Sequence, residues 1–355
     1  MGGTPLTTID GGAMSAGNAT RARTASRNKP AHQVRRSDQE EKPMPTNRTL
    51  TVNGLSIHIA EQGEGPLVLL LHGWPETSHS WRHQMQPLAD AGYHVVAPDQ
   101  RGYGRSDRPE ESDQYTILHL VGDVVGLIDA LGAEEAIVVG HDWGAPVAWT
   151  TAMLRPDLVR GVAGISVPTA QRSPVPTLSA LRQHLGDDFY MLYFQHPGIA
   201  EAEFTADLRT TFRKVLGGGS THPGSTQPPI VPAGSGFLDL FTDPDVLPNW
   251  LTEEDIDVAV ESFTRSGFTG GLNWFRNMDR NWSLLAPWQG AAITSPALYL
   301  CGEADLTRTF YDAAGIATIA SDLRGIIDIP EAGHWVQMER PDDVNTALLD
   351  FFKQL

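Results

Sequence analysis

The sequence predicts an α/β protein, a mostly parallel sheet flanked by helices and interrupted by an all-helical insertion. Three observations carry this expectation. Short apolar runs such as Leu67-Val68-Leu69-Leu70-Leu71, Ala136-Ile137-Val138-Val139 and Ala297-Leu298-Tyr299-Leu300-Cys301 alternate with amphipathic helical stretches. Between residues 169 and 289 the alternation stops, and helical segments are expected at 178–185, 200–215 and 253–264. Finally, Gly140-His141-Asp142-Trp143-Gly144 joins a buried strand to the start of a helix. Small, spacer, polar, spacer, small is the pattern of a nucleophile elbow, in which a sharp turn holds the middle side chain above the sheet edge.

The elements follow in order. Residues 49–52 and 55–59 around Asn53-Gly54 read as a β-hairpin with a tight turn. Leu67 to Leu71 is a buried strand that ends in His72-Gly73-Trp74-Pro75. A helix is expected at 78–91, a strand at 94–97 ending at Pro98-Asp99, and the loop Asp99-Gln100-Arg101-Gly102-Tyr103-Gly104 after it. Ile117, Leu120, Val124, Leu127, Ile128 and Leu131 repeat at spacings of three and four, which predicts a helix over 115–131. The elbow strand, its helix at 145–154 and a strand at 159–167 come next. After the insertion the sheet resumes at 297–301, followed by Gly302-Glu303-Ala304-Asp305, a helix, a strand at 325–329, Gly333-His334-Trp335 and a final helix over 341–352. The domains expected are thus a core of 47–168 and 290–355 and a helical cap, or lid, of 169–289.

Composition narrows the function. The chain has 355 residues, 41% hydrophobic and 19% charged, with a net charge of −17. That balance is ordinary for a globular protein, and the acidic surface argues against a nucleic-acid partner, which wants a basic stripe. No apolar run approaches the length needed to span a bilayer. Cys301 is the only cysteine, so no internal disulfide forms, and a cytoplasmic location is expected. Residues 1–46 read as a disordered or expression-derived tail: seven basic and four acidic residues precede position 44, with no periodic apolar pattern and no secretory core. Met44 is a candidate start. Gly217-Gly218-Gly219 has neither a preceding strand nor a following Lys-Ser/Thr, so it reads as a flexible loop rather than a phosphate cradle. His79 and His83 lie four apart without a third metal ligand in view.

Asp142, Asp305 and His334 each fall just past a predicted strand, in the chain order nucleophile, acid, base. In that arrangement Asp305 orients the imidazole and the imidazole activates a water. An aspartate in the elbow decides the chemistry. Serine attacking a saturated carbon would leave an ether; a carboxylate leaves an ester that water can hydrolyse. An alkyl electrophile, an epoxide or an alkyl halide, is therefore expected. Ester hydrolysis needs an oxyanion hole, for which the main-chain N–H groups of Trp74 and Trp143 are the candidates. An opened epoxide also needs a proton for its alkoxide, whereas a halide needs only N–H donors.

The stretches His72-Gly73-Trp74-Pro75-Glu76, Ser80-Trp81-Arg82-His83-Gln84, Gly140-His141-Asp142-Trp143-Gly144, Leu192-Tyr193-Phe194-Gln195, Gly271-Leu272-Asn273-Trp274 and Gly333-His334-Trp335 resemble those of soluble epoxide hydrolases of the α/β-hydrolase superfamily, especially the mycobacterial A type. The resemblance covers about residue 47 to the C-terminus. It implies an eight-stranded α/β-hydrolase fold with a helical cap and a cofactor-free, metal-free enzyme, a monomer or homodimer. Such an enzyme turns a small hydrophobic epoxide into a vicinal diol through an Asp142 ester hydrolysed by His334-activated water. In that family two cap tyrosines hold the epoxide oxygen. One maps onto Tyr193; the other falls at Phe275, so one donor is lost. Trp274, Phe275 and His141 are expected to line the substrate pocket, and the family glutamate after Gln195 is replaced by His196. A haloalkane dehalogenase with the same triad is the alternative, as is a weakly active ligand-binding member.

Overall fold

An eight-stranded sheet with strand order β1-β2-β4-β3-β5-β6-β7-β8 forms the core of the computed structural model, which describes residues 44–218 and 228–355. The described residues fall in one compact unit, Pro43–Leu355. Residues 1–43 of the expected tail, and Gly219, lie outside the described residues, while Thr46 at its end already belongs to the first strand. β1 (Thr46–Val52) and β2 (Leu55–Gln62) form the predicted hairpin, with Val52 opposite Leu55 and positive φ at both Asn53 (51°) and Gly54 (79°). That pair of left-handed residues matches the right-handed twist of the strands, which is why an Asn-Gly turn is used. β2 also runs antiparallel to β4 (His94–Pro98); every other pairing is parallel.

The central parallel strands are buried on both faces, so they read as continuous apolar runs, whereas the parallel edge strand at 323–329 is half-exposed. In β3 (Leu67–Leu71), Leu67, Leu69 and Leu71 enter one core while Val68 and Leu70 enter another across the sheet. The first core packs against α2 (Ile117–Ala130) and α3 (Gly144–Leu154); the second packs against α1 (Arg82–Asp90) and the last helix (Pro341–Phe352). α2 begins at Ile117, two residues later than expected, because the Thr116 side chain accepts from the His119 N–H and caps it there. β5 (Ala136–His141), β6 (Val159–Ile165), β7 (Ala297–Gly302) and β8 (Leu323–Ile329) complete the sheet.

Between β6 and β7 the chain is helical, with α4 (Thr177–Leu185), α5 (Tyr190–Tyr193), α6 (Ile199–Ala206), α7 (Leu208–Phe212), α8 (Glu253–Ser266), α9 (Thr269–Arg276) and α10 (Met278–Leu284). The helix expected over 200–215 is broken. Asp207 adopts an extended conformation (φ −152°, ψ 97°), and its side chain caps α7 by accepting from the Thr210 N–H. A helix expected after Asp305 is also absent: Leu306–Thr309 and Ala313–Thr318 form short 3-10 turns. The chain closes with α11 (Val336–Glu339) and α12 (Pro341–Phe352). Among the described residues no helix is long and apolar enough to cross a membrane.

Candidate active site

Three adjacent parallel strands, β5, β6 and β7, and the edge strand β8 deliver the polar groups of the site from their carboxyl ends. β5 turns directly into α3 through Asp142, whose φ of 49° is left-handed, a strained conformation for a residue with a side chain. The flanking glycines make the turn possible: a Cβ on Gly140 would overlap the main chain of Gly144, and one on Gly144 would overlap Leu71. Gly73 is equally constrained, because a Cβ there would strike the Asp142 side chain.

The loop after β3 thus lies against the nucleophile candidate. The Trp74 N–H donates to Asp142 Oδ1 at 2.7 Å, and the Trp143 N–H also stabilises the carboxylate. Burial raises the Asp142 pKa, and His334, His141 and these two N–H groups oppose that rise without cancelling it. Asp305, the residue after the turn that ends β7, is buried; its Oδ1 faces His334 Nδ1 at 3.1 Å and accepts from the Thr307 N–H at 2.9 Å. Burial would push its carboxyl up, yet His334 and the Thr307 N–H hold it well below the usual carboxylate range. His334 Nε2 stands 3.6 Å from Asp142 Oδ2. Burial disfavours the imidazolium, but the charge and hydrogen bond of Asp305 and the charge of Asp142 outweigh it and raise the ring to about 9. The imidazole therefore bridges two carboxylates, one held by fixed donors and one at a cavity wall.

That cavity has a volume of about 90 Å³ and is walled largely by aromatic rings, among them Trp74, Tyr190, Phe237, Phe275, Phe310 and Trp335. Asp142 and His334 are the ionic groups in its wall, so it suits a neutral, apolar molecule. Trp74, Phe275, Asp142 and His334 all line this cavity. Three other assignments are corrected. Tyr193 does not line the cavity: its hydroxyl donates to Glu203 Oε2 at 2.8 Å, and Glu203 also takes the N–H groups of Phe237 and Leu238. Tyr190, at the start of the same short helix, lines the cavity instead, with its ring 6.3 Å from Phe275. Burial, then the nearby Tyr311 hydroxyl and the charge of Asp142, keep the Tyr190 phenol protonated.

Trp274 is fully buried and packs edge-on against Tyr103 and Trp143, so it is core rather than cavity wall. His141 is also fully buried, behind His334. Its Nδ1 faces Glu76 Oε2 at 2.8 Å and its Nε2 faces the His334 carbonyl at 2.8 Å. Glu76 accepts from the Gly73 N–H at 2.8 Å and from Gln337 Nε2 at 3.0 Å, and so ties together the loop after β3, the elbow and the histidine loop. Neither Glu76 nor Gln337 carries a spacing signal in the sequence; only the fold brings them together. Asp99 likewise serves architecture: it accepts from Ser78 and Arg105 main-chain N–H groups and lies outside the cavity wall. His79 pairs with Asp255 at 2.8 Å.

Comparison with known proteins agrees with this fold. A family profile described as the alpha/beta hydrolase fold matches residues 66–212. Epoxide hydrolase A of Mycobacterium tuberculosis is 47% identical over 317 residues, covering 88% of this chain and 98% of that protein. Epoxide hydrolase 1 of Siraitia grosvenorii is 41% identical over 314 residues, covering 86% and 97%. Among solved structures, Epoxide Hydrolase A from Mycobacterium thermoresistibile superposes with a TM-score of 0.83 at 47% identity, covering 87% of this chain and 98% of that one. With its fold and these relatives in agreement, the chain belongs to the epoxide hydrolase family of α/β-hydrolase-fold enzymes.

Proposed function

We propose that this protein hydrolyses neutral, hydrophobic epoxides to vicinal diols through an ester on Asp142. The observation that supports it most is a carboxylate, not a hydroxyl, at the elbow, with His334 Nε2 3.6 Å away and the Trp74 N–H on its oxygen. An Asp142 oxygen attacks one epoxide carbon, and the C–O bond of the ring breaks. The released alkoxide takes a proton from the Tyr190 hydroxyl, which regains one from the His334 imidazolium. Esterification removes the Asp142 charge, one of the interactions that raise His334, so the ring gives up its proton more readily at this stage. Neutral His334 then takes a proton from water as the water attacks the Asp142 ester carbon. The oxyanion rests on the Trp74 and Trp143 N–H groups. Collapse releases the diol, and the imidazolium and carboxylate are restored.

On this reading residues 169–289 form the lid and 47–168 with 290–355 the catalytic core, the lid contributing Tyr190 and Phe275 to the cavity wall. Asp305 holds the ring, and Tyr190 replaces Tyr193 as the proton donor. A single turnover in ¹⁸O-water tests the scheme. The first diol should be unlabelled and the Asp142 peptide heavier by one oxygen exchange, because the diol oxygen comes from the carboxylate. Label in the first diol would instead show direct attack by water.

A further inference from the structure

Ser166 is the residue immediately after β6, a position to which the triad assigns nothing. It is fully buried, and its φ is 72°. The Val167 N–H donates to the Ile165 carbonyl at 2.9 Å across it, so Ser166 is the centre of a γ-turn of the strained, positive-φ kind. A non-glycine residue in that conformation persists only where its surroundings hold it. The surroundings are explicit. The Ser166 N–H donates to the Leu300 carbonyl at 2.9 Å, and the Ser166 carbonyl accepts from the Tyr299 hydroxyl at 2.8 Å and the Thr307 hydroxyl at 3.3 Å. Glycine would adopt this turn without strain and without changing any of those main-chain bonds. What glycine lacks is the hydroxyl, and the hydroxyl lies 3.1 Å from His334 Nδ1 and 3.3 Å from Thr307 Oγ1.

We propose that Ser166 is a positioning residue for ester hydrolysis, its hydroxyl sharing the Nδ1–H of His334 with Asp305. Nδ1 stands 3.1 Å from Ser166 Oγ and 3.1 Å from Asp305 Oδ1. A general base at Nε2 requires the neutral ring to keep its proton on Nδ1. Two acceptors converging on Nδ1 hold that tautomer and fix the plane of the ring, so that Nε2 keeps facing the ester carbon. The hydroxyl's own proton remains free to support the Asp305 side, where it helps keep that carboxyl ionised. Because the ring also gives up a proton during the cycle, the hydroxyl acts on the imidazolium too: a second acceptor favours the charged form.

This inference rests on the ester reading, and its test separates the two. Ser166→Gly, Ser166→Ala and wild type are mixed with excess styrene oxide, quenched in acid, and the Asp142 ester is followed by intact mass. In the Gly variant, ester formation should stay within about twofold of wild type while ester decay slows about tenfold. The acid limb of the decay rate should move to lower pH, since the ring loses an acceptor that favoured its cation. Thermal stability of the Gly variant should be equal to or above wild type, because the strained turn is relieved. The Ala variant should show the same slow decay with lower stability. A Gly variant that clears the ester at the wild-type rate with an unmoved pH limb overturns the role of Ser166. No ester on a His334→Gln protein, where it should accumulate, overturns the ester reading itself.

Discussion

The ends of the central strands and the helical insertion meet at one cavity, yet they hold their functional groups in different ways. At the strand ends the two carboxylates are fixed by backbone, Asp142 by a left-handed turn between two glycines and Asp305 by the Thr307 N–H, and they in turn flank His334, whose Nδ1 meets Asp305 and Ser166. On the insertion the groups are fixed by side-chain packing. Tyr190 and Phe275 sit in a cluster of rings, with Phe275 5.0 Å from Trp143, 5.1 Å from Phe194 and 5.8 Å from Trp74. Backbone-fixed groups are placed by topology. Packing-fixed groups depend on which side of a short helix faces inward, and can be exchanged for others of similar shape.

The largest effect should come from the backbone-fixed set. Asp142→Ala should reduce turnover by about 10⁴-fold or more, measured as diol formation, since it removes the atom that forms the bond. The folded protein should survive, because the turn is strained for Asp142 as well as for alanine. Residual activity near wild type would mean that water attacks the epoxide directly.

A smaller effect separates the two tyrosines of α5. Tyr190→Phe should slow ester formation by about 10²-fold, the range of a lost general acid. Tyr193→Phe should leave turnover within about twofold and cost about 1–2 kcal/mol of stability, the hydrogen bond to the Glu203 carboxylate being lost. The reverse pattern would restore Tyr193 to the reaction.

The coupling of His334 to its carboxylates has a signature in stability as well as in rate. Its pKa is raised to about 9 in the folded protein, against about 6.5 in an unfolded chain. The folded state therefore holds the proton more tightly, and the stabilisation is fully present below about pH 6.5 and lost as pH rises through about 9. Denaturation of wild type and His334→Gln should differ most near pH 6 and converge above pH 9, the change being on the order of 3 kcal/mol. A pH-independent difference would show that the ring is neutral in the folded state.

The same contrast explains what was legible in the sequence. Strands buried on both faces are continuous apolar runs, so their ends could be located, and with them Asp142 and Asp305; His334 follows the half-exposed edge strand β8. The glycines of the elbow recorded the close approach of α3. Inside the insertion no such record exists. Tyr190 and Tyr193 are both tyrosines three residues apart on a four-residue helix, and only Glu203 on α6, ten residues beyond Tyr193, decides which one turns away from the cavity. Trp274 and Phe275 are neighbours in α9, and only the rings of Tyr103 and Trp143 settle that the first is core and the second is wall. His141 and Glu76 are 65 residues apart, and their pairing is visible only once the loop after β3 is folded over the elbow.

Phe275 is where the two regions can be made to differ least. Its ring is part of the cavity wall, edge-on to both Trp74 and Trp143, whose N–H groups serve Asp142. A para hydroxyl that reaches the cavity would stand across from Tyr190 and give the epoxide oxygen a second donor. Phe275→Tyr should then raise the rate of ester formation a few-fold while leaving ester decay unchanged, because decay depends on His334 and not on the phenol. If the hydroxyl instead turns into the cluster around Phe194, it is a buried donor without a partner, and the variant should lose about 1–3 kcal/mol with no gain in rate. Single-turnover mass spectrometry together with a melting curve distinguishes these outcomes. A gain in rate would show that packing-fixed positions remain open to exchange.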